Sequence, residues 1–222
     1  MFLSAQDSAL NKNYNSLKST LSLLHEASLC RDSFTTFHEI RVGRIAEILA
    51  RELDLSPVVS DVLGRACCFH DIGKLGVSEK ILQKRGRLTA EDFAAIQKHS
   101  QIGAAIFKKV KGPFCDLASR VALVHHEKMD GSGYPYGLKG YQIPLEGRII
   151  GIADVYDALR SNRYYKLAFS HQKAIRIITC GDERTRPEHF DEKVLKAFER
   201  CGDRVQAIYT REIPAAYALD FH

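Results

Sequence analysis

The sequence predicts an all-α fold, and three observations carry that prediction. Apolar residues recur at helical spacing, no period-2 run rivals them, and cap residues stand ahead of the apolar runs. Leu10, Tyr14, Leu17, Leu21 and Leu24 lie roughly on one face and predict a leading helix before about Arg31, packed on the body or on another subunit. Ile45, Ile48, Leu49 and Leu53 mark the next helix. Ser56-Pro57 then supplies a cap and a proline at the first helical position. Thr89, ahead of Glu91 and Asp92, opens the segment that carries Phe93 and Ile96. Leu117, Val121 and Val124 follow, Ser170 precedes a run ending at Thr179, and Val194, Leu195 and Phe198 complete the pattern. The expected architecture is a bundle of some eight helices.

At 222 residues, 45% apolar and 27% charged, the chain has enough material for one sizeable core, and disorder is excluded as its main state. No apolar stretch approaches the roughly 18 to 20 residues of a membrane span. The start, MFLSAQDSALNK, has neither a basic n-region nor a long apolar h-region, so a cytoplasmic protein without a membrane partner is expected. The net charge of +5 is spread without a basic block, which favours no duplex nucleic acid. Six cysteines, Cys30, Cys67, Cys68, Cys115, Cys180 and Cys201, form no CxxC pair and read as buried reduced thiols.

One stretch breaks the helical pattern. Gly131 to Gly147 holds five of the 15 glycines and two of the six prolines, which predicts a long structured loop. It follows His125-His126, and His70-Asp71 forms a second chemically loaded pair. Taken singly, His38, His70, His99, His125 and His126 would each read as a surface or core histidine. Taken together with Asp71, they suit a dinuclear site, because imidazole ligates first-row divalent metals and a carboxylate can bridge two ions. Adjacent helical residues diverge by about 100° around the axis. Each pair can therefore turn inward together only near a helix end or distortion, and Gly73 offers such a break. Lys74, three residues from Asp71, faces the same side.

The runs His70-Asp71-Ile72-Gly73-Lys74 and His125-His126-Glu127-Lys128-Met129-Asp130-Gly131-Ser132-Gly133-Tyr134-Pro135 resemble the HD-GYP family of metal-dependent cyclic dinucleotide phosphodiesterases. The likeness extends to His38-Glu39-Ile40-Arg41-Val42, Leu88-Thr89 through Lys98-His99, Ile143-Pro144-Leu145 through Arg148, Ala153-Asp154-Val155-Tyr156-Asp157-Ala158-Leu159, and Ser161 to Lys166. From about His38 to Phe198 the order and spacing follow the family. The resemblance implies an HD-domain-like helical bundle over 31–222 with a helical extension at 1–30. It assigns His38, His70, Asp71, His99, His125, His126 and Asp154 as metal ligands, with Asp71 bridging two divalent ions, iron or manganese. A hydroxide held between them would attack phosphorus, with Lys74 donating to a phosphate oxygen or to the leaving group. Gly131 and Gly133 would let backbone approach a ligand, Tyr134 would touch a guanine or its phosphate, and Arg163 and Lys166 would grip the second phosphate.

The implied activity is hydrolysis of cyclic di-GMP to linear pGpG. Alternatives are the mixed 3′,3′-cyclic GMP-AMP as substrate, or a catalytically weak module that binds the dinucleotide or metals and signals. Some departures from the family stand out. Phe34 occupies the position of a third-metal glutamate, which points to two ions and puts conversion beyond pGpG in doubt. Tyr164 replaces a proline, Arg160 a threonine and Glu192 a proline. The stretch Gly181 to Pro187 is unusually charged and carries no assigned role, and His25, His171, His189 and His222 are read as surface or structural. With about 30 to 37 residues ahead of His38, too few for a receiver domain, regulation is expected through the leading helix, a homodimer contact, the redox state of an iron pair, or a separate protein.

Overall fold

The structure, a computed structural model, describes residues 5–29, 36–84, 86–162 and 167–210. Phe34, Arg163, Tyr164, Lys166 and His222 lie outside the described residues. Eleven α-helices account for the described chain, with short 3-10 turns at Ile72–Gly76, Gly140–Gln142 and Pro187–His189. They are α1 (Ala5–Leu29), α2 (Thr36–Glu52), α3 (Pro57–Cys67), α4 (Glu79–Leu82), α5 (Ala90–Gln97), α6 (His99–Phe107), α7 (Pro113–Val124), α8 (Leu145–Arg160), α9 (His171–Cys180), α10 (Glu192–Arg200) and α11 (Gly202–Thr210). A single bridge, Asp130 to Lys139, is the only strand-like pairing among the described residues. The all-α expectation holds. The count exceeds eight because short pieces such as α4 carry too few apolar residues to show a period, and because α5 and α6 form two helices about Lys98.

The caps read from sequence are made. Ser56 Oγ accepts from Val59 N–H at 3.2 Å, and Ser170 Oγ from Lys173 N–H at 3.2 Å. Thr89 and Asp92 exchange bonds in both directions, 3.2 and 3.0 Å, as a capping box. Asp191 is a further cap: its Oδ1 accepts from Lys193 N–H at 2.8 Å and Val194 N–H at 3.1 Å.

Two helices form the centre. On α2, Val42, Ile45, Ala46, Leu49 and Ala50 are fully buried, and on α8 so are Ile149, Ile150, Ile152, Ala153 and Tyr156. A helix apolar on most of its circumference has to be enclosed by others, and α3, α7, α9 and α10 supply Val62, Phe114, Ile178 and Phe198 around the same core. The leading helix α1 packs on this body through Tyr14 and Leu21, with Tyr14 against Phe114 at 5.1 Å between ring centroids. Cys67, Cys68, Cys115 and Cys201 are buried free thiols, and burial pushes Cys68 up to about 12 and Cys201 up to about 11, so neither ionises at neutral pH. Cys180 is free but exposed, against the expectation of burial, because it is the last residue of α9 and lies off that helix's buried face; Cys30 lies outside the described residues. His25, His171 and His189 are buried; Tyr156 Oη and His171 Nδ1 pair at 2.8 Å.

Enclosing α2 and α8 this way fixes what lies at their ends. The α2 N-terminus carrying His38, the α3 and α7 C-termini, the α6 N-terminus and the middle of α8 all meet at one end of the bundle.

Candidate metal centre

All seven expected ligands come together, in two adjoining groups. Asp71, His99, His125 and His126 offer ligand atoms within 4.8 Å of one another, and so do His38, His70 and Asp154. The groups touch where His70 Nε2 lies 3.5 Å from Asp71 Oδ2. The adjacent pairs sit where helices stop, as their geometry demands: α3 ends at Cys67 and α7 at Val124. Gly73 lets the turn after Asp71 press on the start of α6, since a Cβ there would stand 1.8 Å from His99 O.

The imidazoles are oriented by the backbone. His70 Nδ1 is 2.8 Å from Cys67 O, His99 Nδ1 2.6 Å from Ile96 O, and His125 Nδ1 2.8 Å from Ala122 O. A carbonyl can only accept, so each Nδ1 carries the proton and each Nε2 presents a lone pair. His38 is arranged likewise, its Nδ1 2.8 Å from Asp157 Oδ2 and its Nε2 3.4 Å from Asp154 Oδ1. The consequence is a repulsive constellation: His99 Nε2 and His125 Nε2 face each other at 3.1 Å, and His70 Nε2 is buried with no hydrogen-bond partner. Inward-facing imidazole lone pairs beside two carboxylates fit first-row divalent cations.

Asp71 joins the two groups. Its Oδ1 lies 3.3 Å from His99 Nε2 and 3.8 Å from His125 Nε2, while its Oδ2 accepts from Lys74 Nζ at 2.5 Å. Burial works to raise its pKa, but the Lys74 ammonium beside it holds it well below the usual carboxylate range. Burial also pushes His125 well down and His126 down to about 4, keeping both neutral as ligands must be. His38 differs: burial depresses it, but the Asp157 hydrogen bond and the Asp154 charge outweigh that and leave it raised.

Two supporting residues carried no role in the sequence reading. Asp157, one turn beyond Asp154 on α8, is fully buried and accepts from His38, from Arg41 Nε (2.5 Å) and Nη2 (2.9 Å), from Ser161 Oγ (3.0 Å) and from Tyr209 Oη (2.5 Å). Burial raises its pKa, yet His38 and Arg41 bring it far below the ordinary value. Asp157 belongs to the run Ala153 to Leu159, but nothing in that run names its partners. Glu127, also buried, staples the glycine loop: Oε1 accepts from Tyr136 N–H and Oε2 from Leu138 N–H, both at 2.8 Å.

The loop is shorter than its glycine content suggests, because Leu145, Glu146 and Gly147 already form the first turn of α8. Tyr134 N–H donates to His126 O at 3.2 Å and its ring lies 4.5 Å from that of His126, so a ligand histidine and the loop aromatic form one unit. Gly133 is required by the chain itself: a Cβ there would stand 2.5 Å from Glu127 Cα, His126 O and Lys128 N. The charged stretch at 181–187 also has a structural use, for Arg186 Nη2 donates to Asp130 Oδ2 at 2.9 Å; just beyond it, His189 O accepts from Met129 N–H at 3.0 Å.

Comparison with known proteins places this site in a family. The HD domain model matches residues 13–194. The chain is 39% identical over 220 residues to a cyclic di-GMP phosphodiesterase of Vibrio cholerae, covering 90% of this chain and 43% of that protein. It is 36% identical over 185 residues to a 3′3′-cGAMP-specific phosphodiesterase of the same organism, covering 83% of this chain and 35% of the other. It thus spans less than half the length of either relative. Among solved structures, an HDG"Y"P protein from Bdellovibrio bacteriovorus superimposes with a TM-score of 0.60 at 17% identity, covering 88% of this chain and 64% of that one, a likeness of fold. With a matching model over most of its length and His70-Asp71 at the heart of the cluster, the chain belongs to the HD domain family, in the HD-GYP form spelled by His125 to Pro135.

Proposed function

We propose that the chain opens cyclic di-GMP to linear pGpG at a centre of two divalent ions, iron or manganese, held by His38, His70, Asp71, His99, His125, His126 and Asp154. The observation that carries this reading is the 3.1 Å approach of the His99 and His125 Nε2 atoms, both lone-pair bearers, beside the doubly placed Asp71 carboxylate. Divalent ions held there supply the Lewis acidity that phosphodiester hydrolysis requires. In the net reaction water adds to phosphorus, the bond to the 3′ oxygen breaks, that oxygen leaves with a proton, and the product keeps a 5′-phosphate. Asp71 holds the two ligand groups at one spacing. Lys74, partly exposed beside Asp71, hydrogen-bonds a phosphate oxygen or the departing oxygen. Tyr134 and Gly133 carry the loop that meets a base, and Arg163 and Lys166 take the second phosphate.

The 36% identity to a 3′3′-cGAMP-specific enzyme keeps mixed cyclic GMP-AMP as the second reading. No helix of the described residues is long and apolar enough to cross a membrane, which accords with action in the cytoplasm on a diffusible nucleotide. We further propose that 31–222 is the phosphohydrolase unit, and that 1–30 is an extension through which a homodimer contact or a regulatory protein acts. The test is anaerobic incubation of protein loaded with Fe(II) or Mn(II) with each dinucleotide, products followed by chromatography beside Asp71→Ala. Formation of pGpG, lost in the variant, is expected. Absence of turnover with two metals bound per chain would overturn the catalytic reading in favour of a binding module.

A further inference from the structure

We infer that Phe93 on α5 and Tyr134 in the glycine loop form an aromatic corner that receives a purine base of the cyclic dinucleotide, with Phe93 a binding residue of the site. The inference rests on the phosphodiesterase reading and adds to it a residue to which the sequence reading assigned no role at the site.

No residue of α5 is buried, and Phe93 is 51% exposed. A single exposed phenylalanine is ordinary; its surroundings set this one apart. Its ring lies 6.3 Å from that of Tyr134, at 77°. Tyr134 in turn lies 4.5 Å from His126 and 6.4 Å from His99, both expected metal ligands. Aromatic rings therefore run without interruption from the metal cluster to solvent, ending at Phe93. In a cyclic dinucleotide each base hangs one ribose away from phosphorus, so a phosphate at the cluster carries a base to the far end of this row. Two rings near a right angle meet a planar base in complementary ways: one offers its face to stack on, and the other presents against the base edge.

The α5 backbone is prepared for this. The Thr89–Asp92 capping box fixes the first turn just ahead of Phe93, and Lys84 holds Asp92 by an ion pair. The exposed ring is thus displayed from a clamped helix start, which lowers the ordering cost of binding. Stacking tolerates any base, so Phe93 strengthens grip on the dinucleotide without choosing guanine over adenine.

The experiment compares wild type with Phe93→Ala, Phe93→Tyr and Phe93→Trp in the metal-loaded full chain. For Phe93→Ala, KM for cyclic di-GMP is expected to rise roughly 5- to 150-fold with kcat nearly unchanged, by the same factor for mixed cyclic GMP-AMP, and with Phe93→Tyr near wild type. The natural sequence has no tryptophan, so Phe93→Trp carries a single reporter whose emission a stacked guanine quenches saturably. Equal KM values in wild type and Phe93→Ala, or tryptophan emission indifferent to nucleotide while turnover proceeds, would overturn the inference; the second outcome would turn Phe93 toward a protein contact. If wild type turns over neither dinucleotide, the functional reading fails separately, and quenching by cyclic di-GMP still decides whether the corner binds a base.

Discussion

Replacing Asp157 by asparagine keeps its shape and removes its charge, and the structure sets the size of the effect. The carboxylate is fully buried and takes hydrogen bonds from His38, Arg41, Ser161 and Tyr209, with Arg41 itself only 17% exposed. Asparagine can satisfy about half of these donors and leaves the guanidinium without a counter-charge. Breaking a buried pair from one side costs about 3–5 kcal/mol, and about 3 kcal/mol is expected with an isostere. At this chain length that corresponds to a fall in Tm of about 6–12 °C. The loss also depends on pH. Because the folded pKa of Asp157 lies below its unfolded value, its contribution is present above about pH 4 and disappears as pH falls through the folded pKa. The gap between wild type and variant therefore begins to narrow below about pH 4. His38 loses its charged partner and competes with the other donors for a single amide oxygen, so metal retention falls about 10- to 100-fold. Calorimetry from pH 7 to pH 3 and metal analysis after dialysis check both. A variant that melts within a degree of wild type at pH 7 and keeps its metal would refute the account of Asp157 as organiser of His38 and Arg41.

Other expectations concern the loop and the imidazoles. Glu127→Ala removes two charge-assisted bonds, so amide exchange at Tyr136 and Leu138 accelerates and KM for the dinucleotide rises more than kcat falls; protected amides in the variant would contradict this. Gly133→Ala forces a Cβ onto three backbone atoms at 2.5 Å and lowers Tm by more than Gly131→Ala, whose cost is a φ of +84° without such an overlap. In metal-free protein, His126 is neutral when folded and titrates at about 4, against about 6.5 unfolded. The unfolded state binds the extra proton between those values, so stability is full above about pH 6.5 and declines by about 3 kcal/mol toward pH 4; a flat melting profile over that range would be inconsistent with a buried neutral His126.

The legible parts of the molecule were those fixed locally. Ser56, Thr89 and Ser170 bond to backbone three residues ahead, so their residue types announced helix starts. The placement of His70-Asp71 and His125-His126 at helix ends followed from the angular step of a helix. Asp157 stayed silent because its donors arrive from as far as 119 residues away, from α2 and α11, and no local pattern records that meeting. The break between α5 and α6 was also hidden. Lys98 keeps helical dihedrals, φ −62° and ψ −18°, with no glycine or proline to mark the change of direction. The glycine loop was overextended because Gly147 looks like loop composition, whereas it sits in α8 against Val124, where a side chain would not fit.

The carbonyls that orient His70, His99 and His125 belong to the last turns of α3, α5 and α7. Three helices therefore point their C-terminal ends at the cluster, each with roughly half a negative charge, against the N-terminal ends of α2 and α6, each with roughly half a positive one, so the balance is about half a negative charge. The macrodipoles add a negative potential that neutral imidazoles cannot provide, in a site whose seven side chains include only two carboxylates. Cation attraction is in this sense a property of how the helices are aimed. Substituting a histidine removes a ligand and leaves this field in place, so variants lacking one imidazole should still gather divalent ions, more weakly and with altered geometry.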